Sequence, residues 1–203
     1  MPMASPHQPD LFSAALGTGS TLEQAGPELS VGLLQSWQGR VADHQAALRA
    51  AARHGAEGGQ LFLLGDSQRN APLASSCDPL ALTPQNLNFW RWPSAPQQGA
   101  ALYFVVDHPP HLAEPLLLYV GETGRADRRW KGAHDCKSYL AAYGEALARV
   151  GLPSQLTIRF WSDVPTAARA RRALEQALIQ HWQPPFNKET RERWATPFTA
   201  DTD

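Results

Sequence analysis

Residues 101–121 read ALYFVVDHPPHLAEPLLLYVG, and the reading of the fold starts there. Two apolar runs, Ala101–Val106 and Leu116–Gly121, flank a segment that holds Pro109, Pro110 and Pro115. Short runs rich in Val, Leu, Phe and Tyr, bounded by prolines, predict two strands joined by a loop. In an antiparallel hairpin, facing residues have numbers of constant sum. A loop centred near His111 then sets Tyr103 opposite Tyr119, with both rings on the same side of the sheet. A single strand tyrosine is usually a packing residue. Two facing one another beside Gly121 are less ordinary.

Downstream, Lys137–Val150 carries a helical pattern that Gly151 and Pro153 end. Gln155–Trp161 alternates apolar and polar residues, the mark of a half-buried strand. Thr166–Trp182 reads as a second helix, closed by Pro184 and Pro185. The order strand, strand, helix, strand, helix predicts an α+β domain with a small three-stranded antiparallel sheet flanked by helices. Upstream, Ser30 is placed to cap a helix over Val31–His54. Leu34, Trp37, Val41, His44 and Leu48 recur there at three- and four-residue spacing, and Gly55 is a stop signal. Leu61–Leu64 is a short apolar run of either type. From Gln68 to Gly99 the chain is dense in Pro, Asn and Ser around the knot Phe89-Trp90-Arg91-Trp92, which suits a linker packed on something. The expected organisation is a poorly ordered tail over 1–29, a helical and irregular extension over 30–98, the α+β domain over 99–190 and a C-terminal tail over 191–203.

A chain of 203 residues buries a proper core. No apolar run approaches the ~20 residues that span a bilayer. The first ten residues lack a basic patch followed by an apolar stretch, so no secretory signal is expected. Cys77 and Cys136 suggest no disulfide framework, and a cytoplasmic setting fits. The net charge of −1 is unlike that of a non-specific nucleic-acid binder. Its distribution is uneven, however. Arg125, Arg128, Arg129, Lys131 and Lys137 crowd one short segment. Such a patch can hold phosphates on a nearly neutral molecule, although a solvated basic face explains it equally well.

Several residues in the second half carry chemistry. Gly121-Glu122-Thr123-Gly124 ends the second strand, where small residues allow close approach. No Lys-Ser/Thr follows, so it is not a nucleotide P-loop. Arg129 offers a guanidinium suited to bidentate phosphate contact. His134 exchanges protons near neutral pH, and with Cys136 it makes too small a set for zinc. Glu175 shares its helical face with Ile179 and Trp182, so its carboxylate emerges among apolar residues. A half-hidden carboxylate needs a metal or another partner, and Arg171 or Arg172, one turn earlier, is the structural alternative. Asn187, after Pro184 and Pro185, presents an amide able to orient a carboxylate or a phosphate.

Together, Ala101-Leu102-Tyr103, Tyr119-Val120-Gly121, Arg129 ten residues after Tyr119, Leu174-Glu175, and Pro185-Phe186-Asn187 twelve residues after the glutamate resemble the GIY-YIG nuclease family. The similarity covers nearly half the chain. Each motif is weak alone, whereas their joint order and spacing are specific. The stretch 121–137 further resembles stand-alone bacterial members. The resemblance implies a DNA endonuclease that hydrolyses phosphodiester bonds with one Mg²⁺ or Mn²⁺ ion. Glu175 is then the sole protein ligand and Arg129 the clamp on the phosphate. One of Tyr103 and Tyr119 helps deprotonate the attacking water while the other binds the phosphate. His134 relays a proton, Asn187 steadies the site, and Arg125, Arg128, Lys131 and Lys137 contact the DNA backbone. The chain departs from the family in reading Ala-Leu-Tyr for Gly-Ile-Tyr, and in placing Glu122 where a lysine is common.

Glu122 and the weak net charge favour a second reading, a nucleic-acid-binding module that keeps the scaffold without useful catalysis. A third reading, a small α+β interaction domain, leaves the carboxylate on an apolar helix face unexplained.

Overall fold

The computed structural model describes residues 29–55, 66–88, 97–126 and 135–198. The first 28 residues, the run Leu61–Leu64, the Trp90–Trp92 knot, and Arg128, Arg129, Lys131 and His134 lie outside the described residues.

Helix α1 (Val31–Gly55) starts as its sequence demands. The Ser30 hydroxyl accepts the N–H of Leu33 at 3.2 Å, satisfying a donor that the first turn leaves open. Helix α2 (Asp66–Ser76) and a 3-10 turn (Pro79–Ala81) follow. Next come strands β1 (Gln85–Asn86), β2 (Ala101–Asp107) and β3 (Leu116–Thr123). Helix α3 (Asp135–Arg149), strand β4 (Thr157–Trp161), helix α4 (Ala168–Trp182) and the short helix α5 (Arg191–Trp194) complete the order. Gly151 ends α3 with a φ of +70°. Leu152 N–H folds back onto the Leu147 carbonyl at 2.9 Å, the closure expected of a glycine just past a helix end.

The molecule is α+β, as expected, but its antiparallel sheet has four strands in the order β1-β4-β2-β3. The three-stranded expectation therefore needs correction. The added strand pairs Gln85 with Ile158 and Asn86 with Thr157, inside the stretch that reads as a linker. Two residues are too few to show alternation.

The register between β2 and β3 also differs from the expectation. Tyr103 faces Gly121 and Tyr119 faces Val105. The pairing jumps from Val105↔Tyr119 to Val106↔Leu117, so Leu118 is the extra residue of a bulge. Against the expected pairing the strands are displaced by two positions at Tyr103. A displacement of two returns every side chain to its original face. Both tyrosines therefore share a face, as diagonal neighbours and not as an opposed pair.

Strand β2 is buried along its whole length because the sheet is the middle layer. Tyr103 and Val105 join one core with Leu34, Trp37 and Val41 of α1, Leu140 and Tyr143 of α3, and Phe186. Leu102, Phe104 and Val106 point the other way, onto Leu174, Leu178, Ile179 and Trp182 of α4. Burying each such side chain contributes about 1.5–3 kcal/mol, so α1 and α4 hold the sheet from opposite faces. Trp37 is fully buried, which makes α1 part of the core beneath the candidate site.

Among the described residues no strand lies beside the outer edge of β3, yet its polar groups are engaged. The Gln45 amide of α1 donates to Leu117 O and accepts Leu117 N–H, both at 2.9 Å. Phe186 N–H donates to Leu118 O at 3.0 Å. A side-chain amide here does what a neighbouring strand would do, and it closes an edge that otherwise invites pairing with another chain.

Candidate functional site

The same edge leads to the site. Asn187 repeats the device of Gln45 two residues past the bulge. Its Oδ1 accepts Val120 N–H at 2.9 Å and its Nδ2 donates to Val120 O at 2.8 Å. One step further, Glu175 Oε1 accepts Glu122 N–H at 2.8 Å. The residue expected to steady the site and the residue expected to hold a metal are thus consecutive partners of one strand edge. Glu175 stands half-buried on α4 between the buried Leu174 and the exposed Gln176.

The alternative partners proposed for Glu175, Arg171 and Arg172, go elsewhere. Arg171 Nε donates to Glu122 Oε2 at 2.7 Å, and Arg172 Nε donates to Glu122 Oε1 at 3.2 Å. Arg171 is buried, and it also donates to the carbonyls of Pro165 and Thr166 at 3.1 and 2.9 Å. Glu122, the residue that departs from the family pattern, therefore anchors α4 to the end of β3. Its side chain is engaged with these two arginines, and its main chain orients Glu175.

Tyr103 and Tyr119 come together as expected. Their ring centroids are 6.0 Å apart with an interplanar angle of 28°. They are not equivalent, because Tyr103 is fully buried and Tyr119 is half-buried. The Tyr103 ring lies across Gly121 and reaches Phe160 at 6.4 Å. A Cβ on residue 121 would overlap the Tyr103 ring carbons. The glycine of the second motif is thus required by the tyrosine of the first.

Tyr119, Glu175 and Asn187 line a single open cleft of about 180 Å³, with Tyr139, Gln176, Ile179, Phe186, Lys188, Glu189 and Arg191 completing its wall. The far side is a rigid strap. Gln183 closes α4 in the left-handed region at a φ of 48°. Thr190 Oγ1 donates to Pro184 O at 2.5 Å, Arg191 N–H donates to Asn187 O at 2.9 Å, and Trp194 Nε1 donates to Gln183 O at 2.7 Å. Residues 191–198, which read as the start of a tail, carry α5 and seat Trp194 in the core. Trp37 Nε1 donates to Trp194 O at 3.1 Å, tying the strap to α1.

Of the expected backbone contacts, Arg125 is exposed beside Gly124 and Lys137 is half-buried on the first turn of α3. Neither lines the cleft. Arg128, Arg129, Lys131 and His134 belong to 127–134, outside the described residues. Tyr139, Lys188 and Arg191 escaped the sequence reading. Tyr139 belongs to no motif within the helical pattern of Lys137–Val150, and the two cations follow the last motif, which ends at Asn187.

The donor set bears on which ion the cleft suits. Among the described residues no group of three or more His, Cys, Asp or Glu side chains is placed to hold a metal, so a closed site of the zinc type is absent from them. A carboxylate fixed by a main-chain N–H fits a hard ion such as Mg²⁺, which keeps most of its waters and takes one or two protein carboxylates. Among the described residues no helix is long and apolar enough to cross a membrane. Comparison of the chain with family models, with curated proteins and with solved structures finds no match, so the functional reading rests on the cleft itself.

Proposed function

We propose that the chain is a metal-dependent endonuclease of the GIY-YIG type that hydrolyses phosphodiester bonds in DNA at the cleft of Tyr119 and Glu175. One observation carries this reading: a phenol and a carboxylate from separate elements share one open cleft, each held by a rigid neighbour. Glu175 would hold the Mg²⁺ or Mn²⁺ ion. When bound, such an ion supplies Lewis-acid stabilisation of the negative charge that builds on a phosphate under attack. Tyr119, at the cleft wall, is the phenol that meets the substrate, hydrogen-bonding a phosphate oxygen or passing on the proton of the attacking water. Tyr103 is a positioning residue, which fixes the Tyr119 ring from behind. Asn187 holds Val120, and with it the strand that carries Tyr119 and Glu122. Arg129 and His134 keep the roles that the resemblance implies, phosphate clamp and proton relay.

The second reading, a binding module without hydrolysis, draws on the structural duty of Glu175. Its hydrogen bond to Glu122 N–H gives the carboxylate a reason to exist without a metal. Incubation with duplex, single-stranded and branched DNA, in Mg²⁺ or in EDTA, separates the two. Glu175→Gln is the control of choice, because an amide oxygen still accepts the Glu122 N–H while losing the charge. Nicking in Mg²⁺ that EDTA abolishes and Glu175→Gln lowers by about 10²-fold or more supports hydrolysis. Binding by both proteins with no nicking by either supports the module.

A further inference from the structure

Tyr139, Lys188 and Arg191 give the lining of the cleft a basic and aromatic part, and no duty in hydrolysis accounts for it. Arg191 Nη1 donates to Tyr139 Oη at 2.5 Å, and the guanidinium carbon lies 5.5 Å from the centre of the same ring. One of the five guanidinium N–H donors is thereby used. Accepting that bond leaves the phenol's own proton to donate elsewhere. Lys188 is exposed on the same wall. Among the described residues neither cation is ion-paired with a carboxylate. Glu189, the nearby acid, accepts instead from the Gln176 amide at 3.0 Å.

The wall is also stiff. The Tyr139 ring stacks on Phe186 at 5.7 Å and 25°, and Phe186 stacks on Trp37 at 6.3 Å and 13°. Arg191 is held by its main chain to Asn187. A preset guanidinium beside a phenol donor is suited to a tetrahedral oxyanion, because little side-chain freedom is left to lose on binding. At about 180 Å³ the cleft is smaller than the pockets of ~300 Å³ and upward that enclose a drug-sized ligand. It is therefore of a size to take a strand's phosphate and not to bury a whole nucleoside.

We propose that Tyr139, Lys188 and Arg191 form a second phosphate subsite, which grips a phosphate of the bound strand next to the one presented to Glu175. The assignment rests on the cleft taking a nucleic-acid strand, and it concerns binding, not hydrolysis. The subsite sets where along the strand the protein sits, since two phosphates held at once define a register and one does not.

Anisotropy of a fluorescein-labelled single-stranded DNA, titrated with the full-length protein in EDTA over a series of KCl concentrations, tests it. The double variant Lys188→Gln, Arg191→Gln is expected to bind about tenfold more weakly at moderate salt. Its slope of log affinity against log salt falls by about 1–2. Lys188→Gln alone, at an exposed position that cannot unfold the protein, lowers the slope by about 1. Arg191→Lys recovers part of the loss. Arg149→Gln leaves the slope unchanged, because Arg149 lies ten residues beyond Tyr139 on α3, about 15 Å along the helix. Slopes equal to wild type in both Gln variants overturn the subsite, as does a wild-type protein that fails to bind the strand at low salt. Cleavage in Mg²⁺ by wild type and Glu175→Gln judges the hydrolytic reading separately. A protein that never nicks but loses salt dependence in these variants retains the subsite and loses only the nuclease.

Discussion

Glu122 reaches Glu175 through its main chain, at 2.8 Å, and Arg171 through its side chain, at 2.7 Å. One residue at the end of β3 thus binds two turns of α4 with opposite groups, a donor for the acid and an acceptor for the base. The arrangement explains how a glutamate is accommodated beside the carboxylate proposed to hold the metal. Its negative charge is met by two guanidinium groups, so it does not repel phosphate as a lone acid would.

Glu122→Lys, the change toward the lysine that the resemblance leads one to expect, is therefore expected to harm the protein. It removes the carboxylate from the buried Arg171 and adds a third cation beside two. Breaking a pair this sheltered costs about 3 kcal/mol. Glu122→Gln, which still accepts one hydrogen bond, costs about half of that. Urea midpoints of the two variants and wild type measure the difference. A Lys variant as stable as wild type would show that Arg171 lives on its bonds to Pro165 and Thr166 alone.

The unequal burial of the two tyrosines gives a prediction about rate. Tyr119→Phe removes the hydroxyl at the cleft and is expected to lower the cleavage rate by about 10²-fold, the lower end of what proton transfer by a placed group contributes. Tyr103→Phe keeps the ring on Gly121 and costs less than about tenfold, because the hydroxyl it loses does not line the cleft. Single-turnover rates in saturating Mg²⁺ compare them. The opposite ranking would make Tyr103 the reacting phenol.

How far these features were legible in the sequence depended on their range. The apolar runs 101–106 and 116–121, set off by prolines, announced β2 and β3, and Ser30, Gly151 and Pro184 marked helix ends, because caps and breakers act locally. The face shared by Tyr103 and Tyr119 was legible because strand parity survives an even displacement. The exact partner was not, since the bulge at Leu118 leaves no mark that a single sequence shows. Glu175 stood out as an acid among Ile179, Trp182 and Leu178. That its oxygen meets a main-chain N–H of Glu122 depends on how α4 packs on β3, a contact between residues 53 positions apart. Tyr139 and Arg191 meet across 52 positions and carried no motif to flag them.

Asn187 offers a test of the edge. Its amide satisfies both the N–H and the C=O of Val120, which are buried. Asn187→Leu leaves both without a partner and is expected to cost about 2–4 kcal/mol, one desolvation penalty for each group. Asn187→Asp keeps the acceptor, loses the donor and falls between. Amide hydrogen exchange at Val120 reads the contact directly, since its protection should drop in the Leu variant and persist in the Asp variant. Unchanged protection in both would mean that the neighbouring chain, and not the amide, shields this edge.

A pair of histidines, His44 on α1 and His181 in the last turn of α4, predicts how stability responds to acid. His44 of α1 lies against Trp194 with ring centroids 5.5 Å apart, and His181 lies 5.5 Å from Trp182. Neither Nε2 has a hydrogen-bond partner among the described residues. Burial lowers the pKa of His44, and the charges of Arg193 and His181 push it the same way. Burial alone lowers that of His181. Both rings are thus held neutral by the fold, while in the unfolded chain they titrate near 6.5. As pH falls through that value the unfolded state takes up protons that the native state refuses, so stability present above about pH 6.5 drains away below it. Melting temperatures at steps between pH 7.5 and 5.5 should therefore decline, in a range where carboxylates contribute little. The double variant His44→Gln, His181→Gln should flatten the decline without abolishing the fold. A wild-type melting temperature that stays level across this range would mean that water reaches both rings freely.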